Sequence, residues 1–157
     1  MIDSLLVVLD SSKTVLYNLD TGLVYKRINT CARNLNYIYN NKDSVSKEQA
    51  FVIDDYALCR KYYGKFAQKF PRLFDEIETV PRQLEYLKKD LSKNLIAKDK
   101  ADKFLYDEQL AAEIIIESIF KMAIRFESLD KSFEESHEKI LHLIQTIDPP
   151  NEANPES

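Results

Sequence analysis

Apolar residues recur along this chain at steps of three and four, the period of an amphipathic helix. Ile2, Leu5, Leu6, Leu9, Leu16 and Leu19 make one stripe, interrupted by Ser12 and Lys13, and predict a first helix over residues 2–19. Asp20-Thr21-Gly22 is expected to end it, with glycine offering the left-handed cap. Val24, Ile28, Cys31, Leu35 and Ile38 then predict a second helix over 23–40, followed by a loop at Asn40-Asn41 and Asp43-Ser44. Ser46 and Gln49 form a capping box, in which each side chain satisfies a backbone N–H of the other residue, and this opens a third helix. Its apolar row is Val52, Tyr56, Cys59, Tyr63, Phe66, Phe70 and Leu73, interrupted by Pro71. Pro71 lacks an N–H and disfavours helical backbone at Phe70, so the helix is predicted to span 47–70.

Pro81 fits the first turn of a fourth helix, predicted over 82–147, because no glycine or proline occurs from Arg82 to Asp148. With Ile77 as heptad position a, the a and d positions hold Val80, Leu84, Leu87 and Leu91. After a weak patch they hold Leu105, Ala112, Ile115, Ile119, Met122, Phe126, Leu129, Phe133, Ile140, Leu143 and Ile147. The weak patch from Asn94 to Glu108 permits either a helix of about 66 residues, roughly 100 Å long, or a hairpin turning near Asp99. The unchanged register on both sides favours continuity. A continuous helix would outreach the three before it and leave part of its seam for a partner to cover. Phe126 and Phe133 at a positions are too large for a two-stranded core and call for three or more helices.

Composition agrees with helices: two glycines, five prolines and no Asn-Gly or Asp-Gly pair leave few hairpin turns for a β fold. At 157 residues and 45% apolar the chain has enough side chains for a domain core. The densest apolar run, LAAEIIIESIFKMAIRFESL from Leu110 to Leu129, carries Glu113, Glu117, Lys121, Arg125 and Glu127, so no transmembrane segment is predicted. The opening MIDSLLVVLDSSK has no basic leader and no small-residue cleavage site, and is not read as a secretory signal. A net charge of −4 argues against a nucleic-acid partner. Cys31 and Cys59, 28 residues apart, read as reduced core thiols, which suits the cytoplasm or the nucleus. The stretch 148–157, DPPNEANPES, is expected to be a disordered acidic tail.

The candidate chemistry is thin. Glu134 and His137 make one E-x-x-H step, but two steps and further glutamates are needed for a carboxylate-bridged metal pair. His137 and His142 stand five apart, one residue beyond the zinc-binding spacing, so no metal site is assigned and both are expected on solvated helix surface. With Gly22 and Gly64 as its only glycines the chain has no glycine-rich phosphate loop, and neither catalytic residues nor a cofactor are assigned. Arg60 to Arg72 is basic and aromatic, and Lys61, Lys65, Lys69 and Arg72 line one helix face suited to an anionic partner or lipid surface.

These readings predict an all-α fold: an elongated helical bundle or coiled coil with a very long C-terminal helix or helical hairpin, as one domain over residues 1–147. The predicted function is a non-catalytic scaffold or adaptor subunit that assembles with itself or with other helical chains. The predicted partner-binding residues are Leu84, Leu87, Leu91, Ile115, Ile119, Met122, Phe126, Leu129 and Phe133. A module contacting membrane surfaces through the 60–72 stripe and a compact ligand-binding bundle are the alternatives.

Overall fold

The computed structural model describes residues 1–148 as four α-helices, with no strand among the described residues. They are α1 (Ile2–Asn18), α2 (Thr21–Asn41), α3 (Lys47–Ser92) and α4 (Lys98–Ile147). The all-α bundle with a long C-terminal helix is therefore present, while the proposed tail from residue 149 onward lies outside the described residues.

Some local chemistry legible in the sequence forms as expected, and some does not. The capping box at the start of α3 forms as expected: Ser46 N–H donates to Gln49 Oε1 at 3.0 Å and Gln49 N–H to Ser46 Oγ at 3.1 Å. Ser12, the polar residue in the stripe of α1, is fully buried and turns its hydroxyl back onto the Val8 carbonyl at 2.8 Å. Gly22, by contrast, is no cap. It lies inside α2 without positive φ, and α1 stops because Leu19 becomes extended.

Pro71 does not end a helix and Pro81 does not begin one, for both lie inside α3. Each removes a backbone hydrogen bond at about 3 kcal/mol. The apolar row continues across them, however, and Phe70, Leu73, Ile77, Val80 and Leu84 are all buried. At about 1.5–3 kcal/mol per buried side chain, that burial outweighs two proline defects. Arg82 adds a side-chain bond from Nε to the Glu78 carbonyl at 2.8 Å, beside the bond that Pro81 removes.

The long helix expected over 82–147 is broken instead at residues 93–97. Asn94 adopts φ 53°, the left-handed region, and around it Leu95 N–H bonds to the Asp90 carbonyl at 3.0 Å and Asn94 N–H to the Leu91 carbonyl at 3.1 Å. That pair of reversed bonds is the Schellman stop, and asparagine is the residue after glycine that best tolerates the backbone it needs. Ala97 then accepts the first bonds of α4, and Asp99 places negative charge at its N-terminal end. The hairpin alternative holds, with its turn at Asn94 rather than Asp99.

The chain packs as two compact units, each a three-helix arrangement. The first takes Met1–Thr21 and Ala67–Phe126, so α1 lies with the later part of α3 and the earlier part of α4. Here α1 runs antiparallel to α3: Lys88 pairs with Asp3 and Lys13 with Glu78, ten residues down one helix for ten up the other. Tyr17 adds a bond to Glu78 at 2.9 Å and an edge-on contact with Phe74. Leu9, Leu16, Ile77, Leu84, Ala112 and Ile119 are fully buried at its centre.

The second unit takes Gly22–Phe66 and the described residues from Glu127 on. Tyr56 meets His137 and Tyr63 meets Asp130, seven residues up α3 for seven down α4, so these helices are antiparallel. Its core includes Val24, Cys31, Ile38, Tyr56, Tyr63, Phe133 and Ile140.

The Asn94 turn can be tested by equilibrium unfolding. Asn94→Gly should leave stability unchanged or raise it, whereas Asn94→Val should lower it by about 1–2 kcal/mol, because a β-branched residue is strained in the left-handed region.

Candidate functional site

The residues nominated for a partner lie inside the chain's own bundles. Leu84, Leu87, Ile115, Ile119 and Met122 are buried in the first unit, and Leu129 and Phe133 in the second. Leu91 and Phe126 are half-buried. The expectation of a bare seam is thus corrected: once the chain turns at Asn94, the seam has helices of its own to cover it.

The exposed apolar surface of α4 is elsewhere. Leu110, Ile114, Phe120 and Ile124 are exposed, Ile124 by 70%. At about 100° per residue they cluster within roughly 60° of Glu117 on the helix circumference. The buried residues Ala112, Ile115, Ile119 and Met122 cluster on the opposite side. In the first unit α4 is therefore apolar on two opposite faces, one packed and one open. Glu113, Glu117 and Lys121 lie among the open-face residues, with Lys121 and Glu117 ion-paired along the helix. Sequence reasoning missed this stripe because the seam accounted for the apolar period. The available signal was an excess: Leu110–Leu129 carries more large apolar residues than one face can hold.

The basic stripe is divided between the units. Lys61 and Lys65 are exposed in the second, beside exposed Leu58 and Tyr62, with Lys65 Nζ 5.2 Å from the Tyr62 ring centre. Lys69 and Arg72 belong to the first, where Arg72 is held by Glu76 at 2.7 Å. A shallow cleft of about 240 Å³ in the second unit is lined by Glu48, Gln49, Val52, Lys139, His142, Leu143 and Thr146. It falls below the roughly 300–1,000 Å³ of typical small-ligand pockets.

The densest chemistry is a polar cluster in the second unit. Arg27 of α2 reaches α4, pairing with Asp130 at 3.4 Å and with Glu134, while its guanidinium lies 4.0 Å from the Phe133 ring centre. Tyr63 of α3 donates to the same Asp130 at 3.0 Å. Two turns further, the Asn34 amide donates to Tyr56 Oη at 3.1 Å, and the same oxygen shares a hydrogen bond with His137 Nδ1 at 2.8 Å. His137 also stacks on Phe133, with ring centres 4.9 Å apart. The expectation that His137 sits on solvated surface is corrected: it is half-buried and hydrogen-bonded across helices. Its partners come from other helices, which a view of one helix face cannot reveal.

Burial sets the protonation of this cluster. It pushes the Cys31 thiol up to about 11 and raises Cys59, so both are thiols rather than nucleophilic thiolates near neutrality. Burial likewise raises Tyr56 and Tyr63, the latter aided by its bond to Asp130. Burial lowers His137, with Arg27 and Arg33 acting in the same direction and Glu134 against it. Most of these polar groups are spent on one another, a use that ties α2, α3 and α4 together. Among the described residues, no three His, Cys, Asp or Glu side chains are grouped to hold a metal ion, and no helix is long and apolar enough to cross a membrane. Comparison with models of protein families, with curated proteins and with solved structures finds no match.

The lowered His137 value makes stability depend on pH. Below 6.5 the unfolded histidine takes a proton before the folded one, so this group's contribution is complete above 6.5 and is lost as pH falls towards the folded value. Urea midpoints measured from neutral to mildly acidic pH should therefore fall more steeply for the native chain than for His137→Gln, whose amide oxygen still accepts from Tyr56.

Proposed function

We propose that this chain is a non-catalytic helical scaffold or adaptor subunit, and that it assembles through the outward stripe of α4 rather than through the heptad seam. The observation that carries this reading is the open apolar face at Leu110, Ile114, Phe120 and Ile124, opposite the packed core. Large apolar residues clustered on one exposed face support an interaction surface. A helical partner chain or a second copy fits a straight stripe on one helix, where side chains spaced at three and four can interdigitate. The two free, buried thiols support a reducing compartment, cytoplasmic or nuclear, as the place of work.

Extracts of cells making the full chain test this. The chain should elute as an assembly larger than a single chain, and mass spectrometry of that fraction should identify the components. Ile114→Glu combined with Ile124→Glu should abolish the assembly while changing stability by about 1 kcal/mol or less, since both side chains are already exposed. Ile119→Glu, which places a charge at a fully buried position, should instead unfold the protein. An assembly indifferent to the double variant would overturn the reading.

One observation favours a second reading, contact with an anionic membrane surface: Phe51, Leu58 and Tyr62 are exposed on α3 together with Lys61 and Lys65. On this reading the chain co-floats with vesicles containing phosphatidylserine at low salt, and Lys61→Glu with Lys65→Glu releases it. Flotation that ignores both salt and the charge reversal would rule it out.

A further inference from the structure

The open stripe of α4 has an internal symmetry that selects its occupant. Three residues to either side of Glu117 stand Ile114 and Phe120, and seven to either side stand Leu110 and Ile124, all four exposed. Four to either side stand Glu113 and Lys121, of opposite charge and both exposed. Offsets of three, four and seven keep all seven residues on one face, because they return to within about 60° of the starting direction on a helix of 3.6 residues per turn.

A two-fold axis through Glu117, with two copies of α4 running antiparallel, sets each residue before Glu117 against its counterpart after it. Leu110 then meets Ile124 and Ile114 meets Phe120 in both directions across the axis. Glu113 of each copy meets Lys121 of the other, giving two equivalent ion pairs. The two Glu117 carboxylates come together at the axis, where the Lys121 of each chain lies between its own Glu117 and the Glu113 of the other copy. A two-fold interface requires one surface to be complementary to itself, and this one is so in both apolar pattern and charge.

Charge also excludes the other orientation. In a parallel pair in register, Glu113 would face Glu113 and Lys121 would face Lys121, which is repulsive at both positions. The match is bounded as well: ten residues to either side of Glu117 stand Asp107 and Glu127, which would oppose like charges. The self-complementary segment is thus Leu110–Ile124, about four helical turns, all of it within the first unit.

We infer that the chain forms a homodimer by antiparallel pairing of two α4 helices about Glu117, through Leu110, Glu113, Ile114, Phe120, Lys121 and Ile124. This rests on the reading of the α4 stripe as an assembly surface and names a second copy of the chain as its occupant.

Sedimentation velocity and light scattering of the purified full chain, from micromolar to near-millimolar concentration, test the inference directly. A reversible monomer–dimer equilibrium is expected. Glu113→Lys and Lys121→Glu should each raise the dissociation constant about tenfold, and the two together should restore it to within about threefold of the native value. Circular dichroism should show each variant fully folded, since both positions are exposed. Orientation is read by cysteine pairing under mild oxidation. Leu110→Cys mixed with Ile124→Cys should give a disulfide-linked heterodimer faster than either variant links to itself.

A purified chain that stays monomeric, a double charge reversal that fails to recover, or faster linkage of Leu110→Cys to itself would each overturn the inference. A monomeric purified chain that still forms a stripe-dependent assembly in extracts overturns only the homodimer. Loss of that assembly as well overturns the broader reading with it.

Discussion

An asparagine in the left-handed region decides how the longest apolar seam of this chain is taken out of water. At Asn94 the backbone reverses through two bonds to the Asp90 and Leu91 carbonyls, and α4 sets out antiparallel to α3. Without that reversal, the two halves of the heptad pattern would lie end to end along one helix, and neither could cover the other. With it, Leu84 and Ile119 in one unit, and Tyr63 and Phe133 in the other, are buried by their own chain. The remaining helices complete three-helix packing: α1 in the first unit and α2 in the second. The bulk of Phe133, too large for a two-stranded seam, fits this arrangement.

The two units solve the packing problem with different chemistry. The first is held by aliphatic burial with surface ion pairs such as Lys13–Glu78, each worth little in water. The second places Arg27, Asp130, Tyr63, Asn34, Tyr56 and His137 across three helices. Apolar contacts tolerate a one-turn slip of a helix along its neighbour, because the period repeats. A chain of directed bonds does not, since a slip would strand the buried Tyr56 and Tyr63 hydroxyls without partners. The same packing buries His137, and that burial lowers its proton affinity.

Much of the fold was legible from period and local chemistry. The capping box at Ser46, the helical rows through α2 and α3, the buried state of both cysteines and the need for at least three helices all follow from residue spacing, and all are found. Where structure and sequence pattern differ, tertiary burial opposes or replaces the local signal. Pro71 and Pro81 stay inside α3 because the apolar row on either side is buried. Gly22 had the right residue type for a cap, but Leu19 ended the helix first. Asn94 is compatible with a helix in isolation, and the packing gained by reversal makes its left-handed form prevail. His137 was placed by its own helix face, while its environment is set by Tyr56 on another.

The case for an assembly surface rests on what α4 does with its excess of apolar residues. A helix packed on one side by Ala112, Ile115, Ile119 and Met122 cannot turn Leu110, Ile114, Phe120 and Ile124 into the same core, because they sit on the opposite side of its axis. No rotation of α4 removes the exposure, since rotating one row inward turns the other out. A polar outer face would have avoided the exposure. Here the charges instead interrupt the apolar row at Glu113, Glu117 and Lys121. Those interruptions keep the open face wettable in the monomer, and they also carry the sign pattern that distinguishes one direction of approach from the other. A surface meant only to be solvated would need the first property, and only a surface that is met by another helix would make use of the second.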